Sequence, residues 1–139
     1  MNTKRLSALL LIVITLISLV ACGKEEPTGL WAAATYTEDR SFGSGSVTFE
    51  VEVIAEDRSV TFTVSTDKEY LGDALLEHGL IEGTEGAYGI YVDSVNGILA
   101  SWDNDQAWWG VSINGTTANS GVDGIKVESG AHYELTYSK

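Results

Sequence analysis

Val47-Thr48-Phe49-Glu50-Val51-Glu52-Val53 alternates strictly, with Val47, Phe49, Val51 and Val53 on one side and Thr48, Glu50 and Glu52 on the other. A period of two is the mark of a strand with one face in a core and one in water. The polar turn Glu56-Asp57-Arg58 follows, and Val60-Thr61-Phe62-Thr63-Val64 repeats the alternation, so the pair predicts a β-hairpin. The period then changes. Leu71, Leu75 and His78, with Ala74 and Leu76, recur at helical spacing. Asp67 and Glu69 precede them near the positive end of the helix dipole, and Gly79 offers the left-handed residue that ends a helix. One short helix is therefore expected between about Glu69 and His78.

Beyond the helix the chain is punctuated by Gly83, Gly86, Gly89, Gly97, Gly110, Gly115, Gly121, Gly124 and Gly130, a density that suits tight turns between short strands. Strands are expected at 89–94, 98–101, 109–113 and 132–137. A hairpin, one helix and several more strands form an α+β pattern, with the helix on one face of a mostly antiparallel sheet. A small β-grasp-like domain satisfies this order. No internal repeat or low-complexity tract is present.

Upstream of the hairpin, Leu30 to Arg40 carries Trp31 and Tyr36 without a clear period, and Gly23 to Thr28, with the only proline, Pro27, reads as a tether. The first 21 residues have the form of a signal peptide: Lys4 and Arg5, then an apolar run from Leu6 to Val20. That run is short for a membrane helix, which needs roughly 20 apolar residues. Leu19-Val20-Ala21-Cys22 resembles the bacterial lipobox, in which the cysteine is diacylated and becomes the first residue. Cys22 is the only cysteine, so acylation also accounts for an otherwise unpaired thiol. Two acyl chains hold a protein stably at a membrane. The expected organisation is a signal peptide over 1–21, a lipidated N-terminus, tether and unassigned segment over 22–44, and a globular domain over 45–139. Such a chain faces outside the cytoplasm, anchored to the bacterial cell membrane.

Cleavage before Cys22 removes Lys4 and Arg5 and no acid, taking the formal charge from −12 to −14. A surface this acidic excludes nucleic acid and anionic lipid surfaces as partners, since both require clustered Lys and Arg. No catalytic motif stands out: there is no Gly-x-Ser-x-Gly elbow, no His-x-x-x-His spacing and no phosphate-cradling loop, and the only histidines are His78 and His132. The expectation is a protein that is not an enzyme and requires no cofactor. Asp103 and Asp105, in Asp103-Asn104-Asp105-Gln106, are the weak metal candidates, although this run lacks the ligand spacing of a calcium loop and suits an ordinary turn equally well. Asn114-Gly115-Thr116 reads as a hairpin turn rather than a glycosylation site.

The aromatic residues Tyr88, Tyr91, Trp102, Trp108 and Trp109 remain. In a strand, adjacent Trp108 and Trp109 point to opposite faces, so at most one lies fully in the core. The other covers a sheet edge or receives a flat apolar ligand.

At these residues the chain resembles the C-terminal domain of the vitamin B12 carriers transcobalamin and intrinsic factor, and the bacterial transcobalamin-like lipoproteins termed DUF4430. Leu71 to Leu76 resembles the helix of that family, Tyr88-Gly89-Ile90 and Ser94-Val95-Asn96 its aromatic-glycine block, and Trp108-Trp109 its Tyr-Trp pair. Ser120-Gly121-Val122-Asp123 resembles its Gly-Val turn and Tyr133 to Tyr137 its last strand. The resemblance implies a β-grasp-like fold and a ligand-facing surface of Tyr88, Gly89, Ile90, Trp108, Trp109, Gly110, Ser120, Gly121 and Val122, with cobalamin or a related corrinoid as the ligand and uptake as its purpose. Gly110 stands where the carriers usually have Gln. The carriers also grip the ligand against a large α-helical domain for which this chain has no room, so a membrane transporter or second binding domain would have to complete the site. The alternative is a cell-envelope interaction or adhesion module that docks a protein or glycan.

Overall fold

A computed structural model describes Gly23 and residues 25–139. Cys22 and the signal peptide lie outside the described residues, and among those described no helix is long and apolar enough to cross a membrane.

The hairpin is present. Strands β2 (Val47–Ala55) and β3 (Arg58–Thr66) pair antiparallel from Val47↔Thr66 to Ala55↔Arg58, closed by Glu56 and Asp57 with Glu56 at φ 57°. Phe49, Val51, Val53, Val60, Phe62 and Val64 are all buried, as the alternation requires. The helix α1 (Leu71–Glu77) buries Leu71, Ala74 and Leu75 and stops as expected at Gly79 (φ +65°). Gly79 N–H donates to the Leu76 carbonyl and Leu80 N–H to the Leu75 carbonyl, each at 3.0 Å. This double bond pattern satisfies the last carbonyls of the helix and turns the buried Leu80 back onto the core.

The remaining strands are β1 (Arg40–Phe42), β4 (Ile81–Gly86), β5 (Gly89–Val95), β6 (Ile98–Leu99), β7 (Trp108–Ile113), β8 (Thr116–Thr117) and β9 (His132–Ser138). They form two sheets: β1-β3-β2-β9-β7-β8, and β4-β5-β6. The architecture is thus α+β and strand-dominated. Most pairings are antiparallel, but β1 runs parallel to β3 and β9 parallel to β2. Strand β9 therefore sits in the middle of the large sheet, hydrogen-bonded to β2 on one side and to β7 on the other.

The two sheets share one core. Ile81, Val95 and Ile98 of the small sheet join Tyr133 and Leu135 of β9 and the buried face of α1 in a single apolar cluster. Trp109 ties the sheets together: its indole Nε1–H donates to the Ile98 carbonyl at 3.2 Å, and its ring meets Tyr137 edge to face. Asn114-Gly115 and Asn96-Gly97 both close hairpins with positive φ at each turn residue, the conformation that suits strand twist.

Residues 29–42, unassigned from sequence, belong to this core. A 3₁₀ turn over Gly29–Ala33 buries Trp31, whose Nε1–H donates to the Ala55 carbonyl at 2.9 Å and whose ring is covered by the Arg58 guanidinium. Tyr36, Phe42 and Phe62 form a cluster of mutual edge contacts. Asn96 clamps this segment. It is buried, accepts from Tyr36 N–H through Oδ1 at 2.9 Å, donates from Nδ2 to the Tyr36 carbonyl at 2.8 Å, and accepts from Thr35 N–H through its own carbonyl.

Candidate functional site

The aromatic residues divide between core and surface. Trp109 is buried at 7% exposure while its neighbour Trp108 is 42% exposed, the split that strand geometry demands. Trp108 lies beside Trp102, with ring centroids 6.0 Å apart. Trp102 opens the short helix α2 (Trp102–Asp105), which is capped by Ser101: its Oγ accepts from Asn104 N–H at 3.3 Å. Gln106 in the left-handed conformation ends that helix and returns the chain to β7.

Trp102 borders an open depression of about 410 Å³ whose other walls are Tyr91, Asp93, Leu99, Ala100, Ser101 and Asp103. Each is positioned by backbone periodicity. In β5, Ile90 and Val92 pack on the core, so Tyr91 and Asp93 point the other way. In β6 the Asn96-Gly97 turn buries Ile98 and leaves Leu99 outward. Asp93 is held by Thr84, whose hydroxyl donates to its carboxylate at 2.8 Å. Tyr91, Leu99 and Trp102 are each more than half exposed, a concentration of large apolar side chains that a monomer does not need for its core. The depression offers flat ring faces with carboxylates at the margin, and so favours an apolar ligand carrying hydrogen-bond donors.

The residues of the sequence-derived ligand surface fall in several different settings. Gly89 and Ile90 come together with the Ser120–Val122 block through Asp123, whose Oδ2 accepts from Ile90 N–H at 2.8 Å. A Cβ on Gly89 would stand 2.6 Å from that oxygen, and Gly72 of α1 also abuts the Asp123 carboxylate. Glycine is needed at 89 to admit this carboxylate, a structural reason for the residue. Val122 begins a 3₁₀ turn (Val122–Gly124) and is buried against α1, so its side chain serves the core, as does that of Trp109. Tyr88 is fully exposed at the β4–β5 turn, Gly110 is half-buried in β7, and Ser120 and Gly121 are exposed. Asp103 and Asp105, the weak metal candidates, are exposed on α2, and Asp103 lines the depression. Leu99 and Asp93 were not singled out from sequence. The Asn-Gly turn before Ile98 was the available signal for Leu99, since it fixes which residue of the next strand faces out.

A second polar constellation lies on the open face of the large sheet. His132 Nδ1 is 3.2 Å from Glu50 Oε2, and its Nε2 is 2.9 Å from Glu52 Oε2 and 4.0 Å from Glu134 Oε1. The hydrogen bond to Glu52 raises the His132 pKa; partial burial opposes this, and Glu50 adds to the rise. A histidine whose pKa is raised on folding contributes stability that is complete below its unfolded value and is lost as pH climbs through the folded one. In chelator, the thermal midpoint is therefore expected to fall over the interval above the ordinary histidine value of 6.5, by an amount equivalent to less than about 1 kcal/mol, because the ring is partly exposed. The same scan on His132→Gln should be flat over that interval; an identical slope in the variant would dismiss the assignment.

The profile of the domain of unknown function DUF4430 matches residues 69–139, which span α1 through β9. Among solved structures, a candidate metal-binding protein from Ruminococcus gnavus is 32% identical, with a TM-score of 0.64 over 68% of this chain and 98% of that one. Haptocorrin in complex with Cbi is 20% identical with a TM-score of 0.52, over 70% of this chain. The match spans only 26% of haptocorrin and shows a shared fold. No curated protein matches the sequence significantly. The profile match over half the chain and the near-complete coverage of the R. gnavus protein agree with the transcobalamin-like blocks of the sequence, and this chain belongs to the DUF4430 family.

Proposed function

We propose that the protein is an exported, lipid-anchored binding domain that receives a small ligand of the corrinoid class, a broad macrocycle with amide side chains, on its aromatic surface. The observation that carries this reading is the grouping of exposed Tyr91, Leu99 and Trp102, with Trp108 beside Trp102, around one open depression. The fold shared with haptocorrin, which was solved with Cbi bound, supports the ligand class. The lipobox ending at Cys22 supports the anchor, facing outside the cytoplasm. A β-grasp-like fold is part of the reading, supported by the helix α1 that follows the first hairpin and by the central place of β9 in the large sheet. Binding without catalysis is part of the proposal, in keeping with the lack of a recognised catalytic motif in the sequence.

The depression is open, so it covers one side of a ligand. A half-site buries less area than an enclosed one and binds more weakly, and a transporter or second domain would supply the other wall. Titration of the purified protein with cobalamin and cobinamide, read by tryptophan fluorescence and corrin absorbance, should saturate with a Kd of roughly 10 µM to 1 mM. Trp102→Ala should weaken that binding by about tenfold, the scale of an aromatic contact at a recognition surface. Absence of any saturable signal up to about 1 mM would sink the small-ligand reading. Specific retention of an envelope protein or glycan by the tethered domain would then replace it with the adhesion reading.

A further inference from the structure

We infer that Glu52, His132 and Glu134 form a binding site for a divalent transition-metal ion, with zinc as the best fit, on the open face of the large sheet. The inference is independent of the aromatic depression. Parallel pairing of β2 with β9 sets Glu50 opposite His132 and Glu52 opposite Glu134, on two adjacent strands inside the sheet. The side chains thus stand on a rigid, hydrogen-bonded frame, although the strands are far apart in sequence. One imidazole nitrogen and two carboxylate oxygens, from His132, Glu52 and Glu134, lie within 4.8 Å of one another.

Three features favour a metal over a simple ion pair. Like charges directly opposite in a ladder destabilise a sheet, yet Glu52 and Glu134 occupy such a pair, with Glu50 next to them. A single imidazolium needs one carboxylate for its charge, whereas this one is surrounded by three. Secondly, the roles of the two ring nitrogens are divided. Glu50 at Nδ1 can take the Nδ1–H and fix the tautomer that leaves the Nε2 lone pair toward Glu52 and Glu134, the outer carboxylate arrangement of zinc-bound histidines. Thirdly, the spacing suits a small ion. Ligands at about 2.0–2.1 Å from a tetrahedral zinc stand about 3.3 Å apart. Nε2 is 2.9 Å from the Glu52 oxygen and 4.0 Å from the Glu134 oxygen, and the three donor atoms lie within 4.8 Å of one another, so side-chain rotations of about an ångström reach that geometry.

The donor set selects the ion. A nitrogen with two carboxylates suits zinc and its first-row neighbours, whereas calcium and magnesium prefer all-oxygen shells and copper(I) prefers thiolates. His132, Glu52 and Glu134 are all partly exposed, which leaves room for water to complete the coordination.

The test is calorimetric titration of the purified, chelator-treated protein with zinc chloride, and with calcium chloride in parallel. Zinc is expected to bind once per chain and calcium not to saturate. His132→Ala should abolish the zinc isotherm, and the near-isosteric Glu134→Gln should weaken it by at least about tenfold. Glu50→Gln keeps all three ligands and an acceptor for Nδ1–H, so it should weaken zinc binding less than Glu134→Gln does, the smaller loss marking a positioning role rather than ligation. His78→Gln, which removes the other histidine, should leave the isotherm unchanged. Circular dichroism on each variant confirms folding. Unaltered zinc binding in His132→Ala or Glu134→Gln, or no saturable zinc binding by the parent protein, would overturn the site.

Discussion

Trp31→Ala is expected to destabilise the protein by about 3–5 kcal/mol, the range for removing a buried large aromatic side chain. Trp31 is only 2% exposed, so truncation leaves a cavity that the surrounding β-structure can fill only in part. It also strips the Ala55 carbonyl, at the end of β2, of the indole N–H that it accepts at 2.9 Å. The loss is a large share of the roughly 5–15 kcal/mol that holds an ordinary domain together. Urea denaturation followed by circular dichroism should show a single transition at a much lower midpoint, and Trp31→Phe should fall between. The experiment also decides whether residues 29–42 unfold with the rest. A midpoint unchanged by Trp31→Ala would mean that the segment is an independent appendage.

Asn96→Ala is expected to cost about 2–4 kcal/mol, from two lost hydrogen bonds at a buried site and from an alanine forced to positive φ. Asn96 is 1% exposed at φ 51°, and both ends of its amide engage Tyr36. Asn96→Gly separates the contributions: it relieves the backbone but leaves the Tyr36 N–H and carbonyl without their partner, so it should recover only about 1 kcal/mol. Asn96→Asp keeps the acceptor but sets a buried carboxylate against the Tyr36 carbonyl, and should be at least as damaging as alanine. The measure is again the urea midpoint. A cost for Asn96→Ala within about 0.5 kcal/mol of zero would mean that the clamp is dispensable.

What could be read from sequence follows the range of the interactions. Strands β2 and β3 were legible because their alternation is strict and their turn is local. The helix was legible through Leu71, Leu75 and Gly79, although it begins at Leu71, later than the expected Glu69. Strand β4 was not: only Ile81 of its six residues is buried, and Glu82 to Gly86 are held by pairing to β5 without any apolar period. Strand β1 is three residues at an edge, too short for a pattern to show. The position of β9 between β2 and β7 leaves no local trace, because residues some 80 apart specify it. The same gap hid the glutamates around His132. At the aromatic surface, period-two geometry separated Trp108 from Trp109, but which of them faced the core depended on the register of β7 with β9. The family resemblance implied that Val122 faces a ligand, yet the 3₁₀ geometry buries the valine.

The central insertion of β9 has a consequence for how the chain comes to be folded. The two halves of the large sheet, β1-β3-β2 and β7-β8, share no strand pairing until residues 132–138 are in place between them. While those residues are still missing, both halves keep an open inner edge, and the core lacks Tyr133 and Leu135. Completion must await long-range contacts, whose loop-closure entropy slows assembly. For a chain threaded through a membrane in the unfolded state, as the proposed export requires, this is an advantage. Residues 132–138 act as the keystone, and the large sheet stays divided until they dock between β2 and β7.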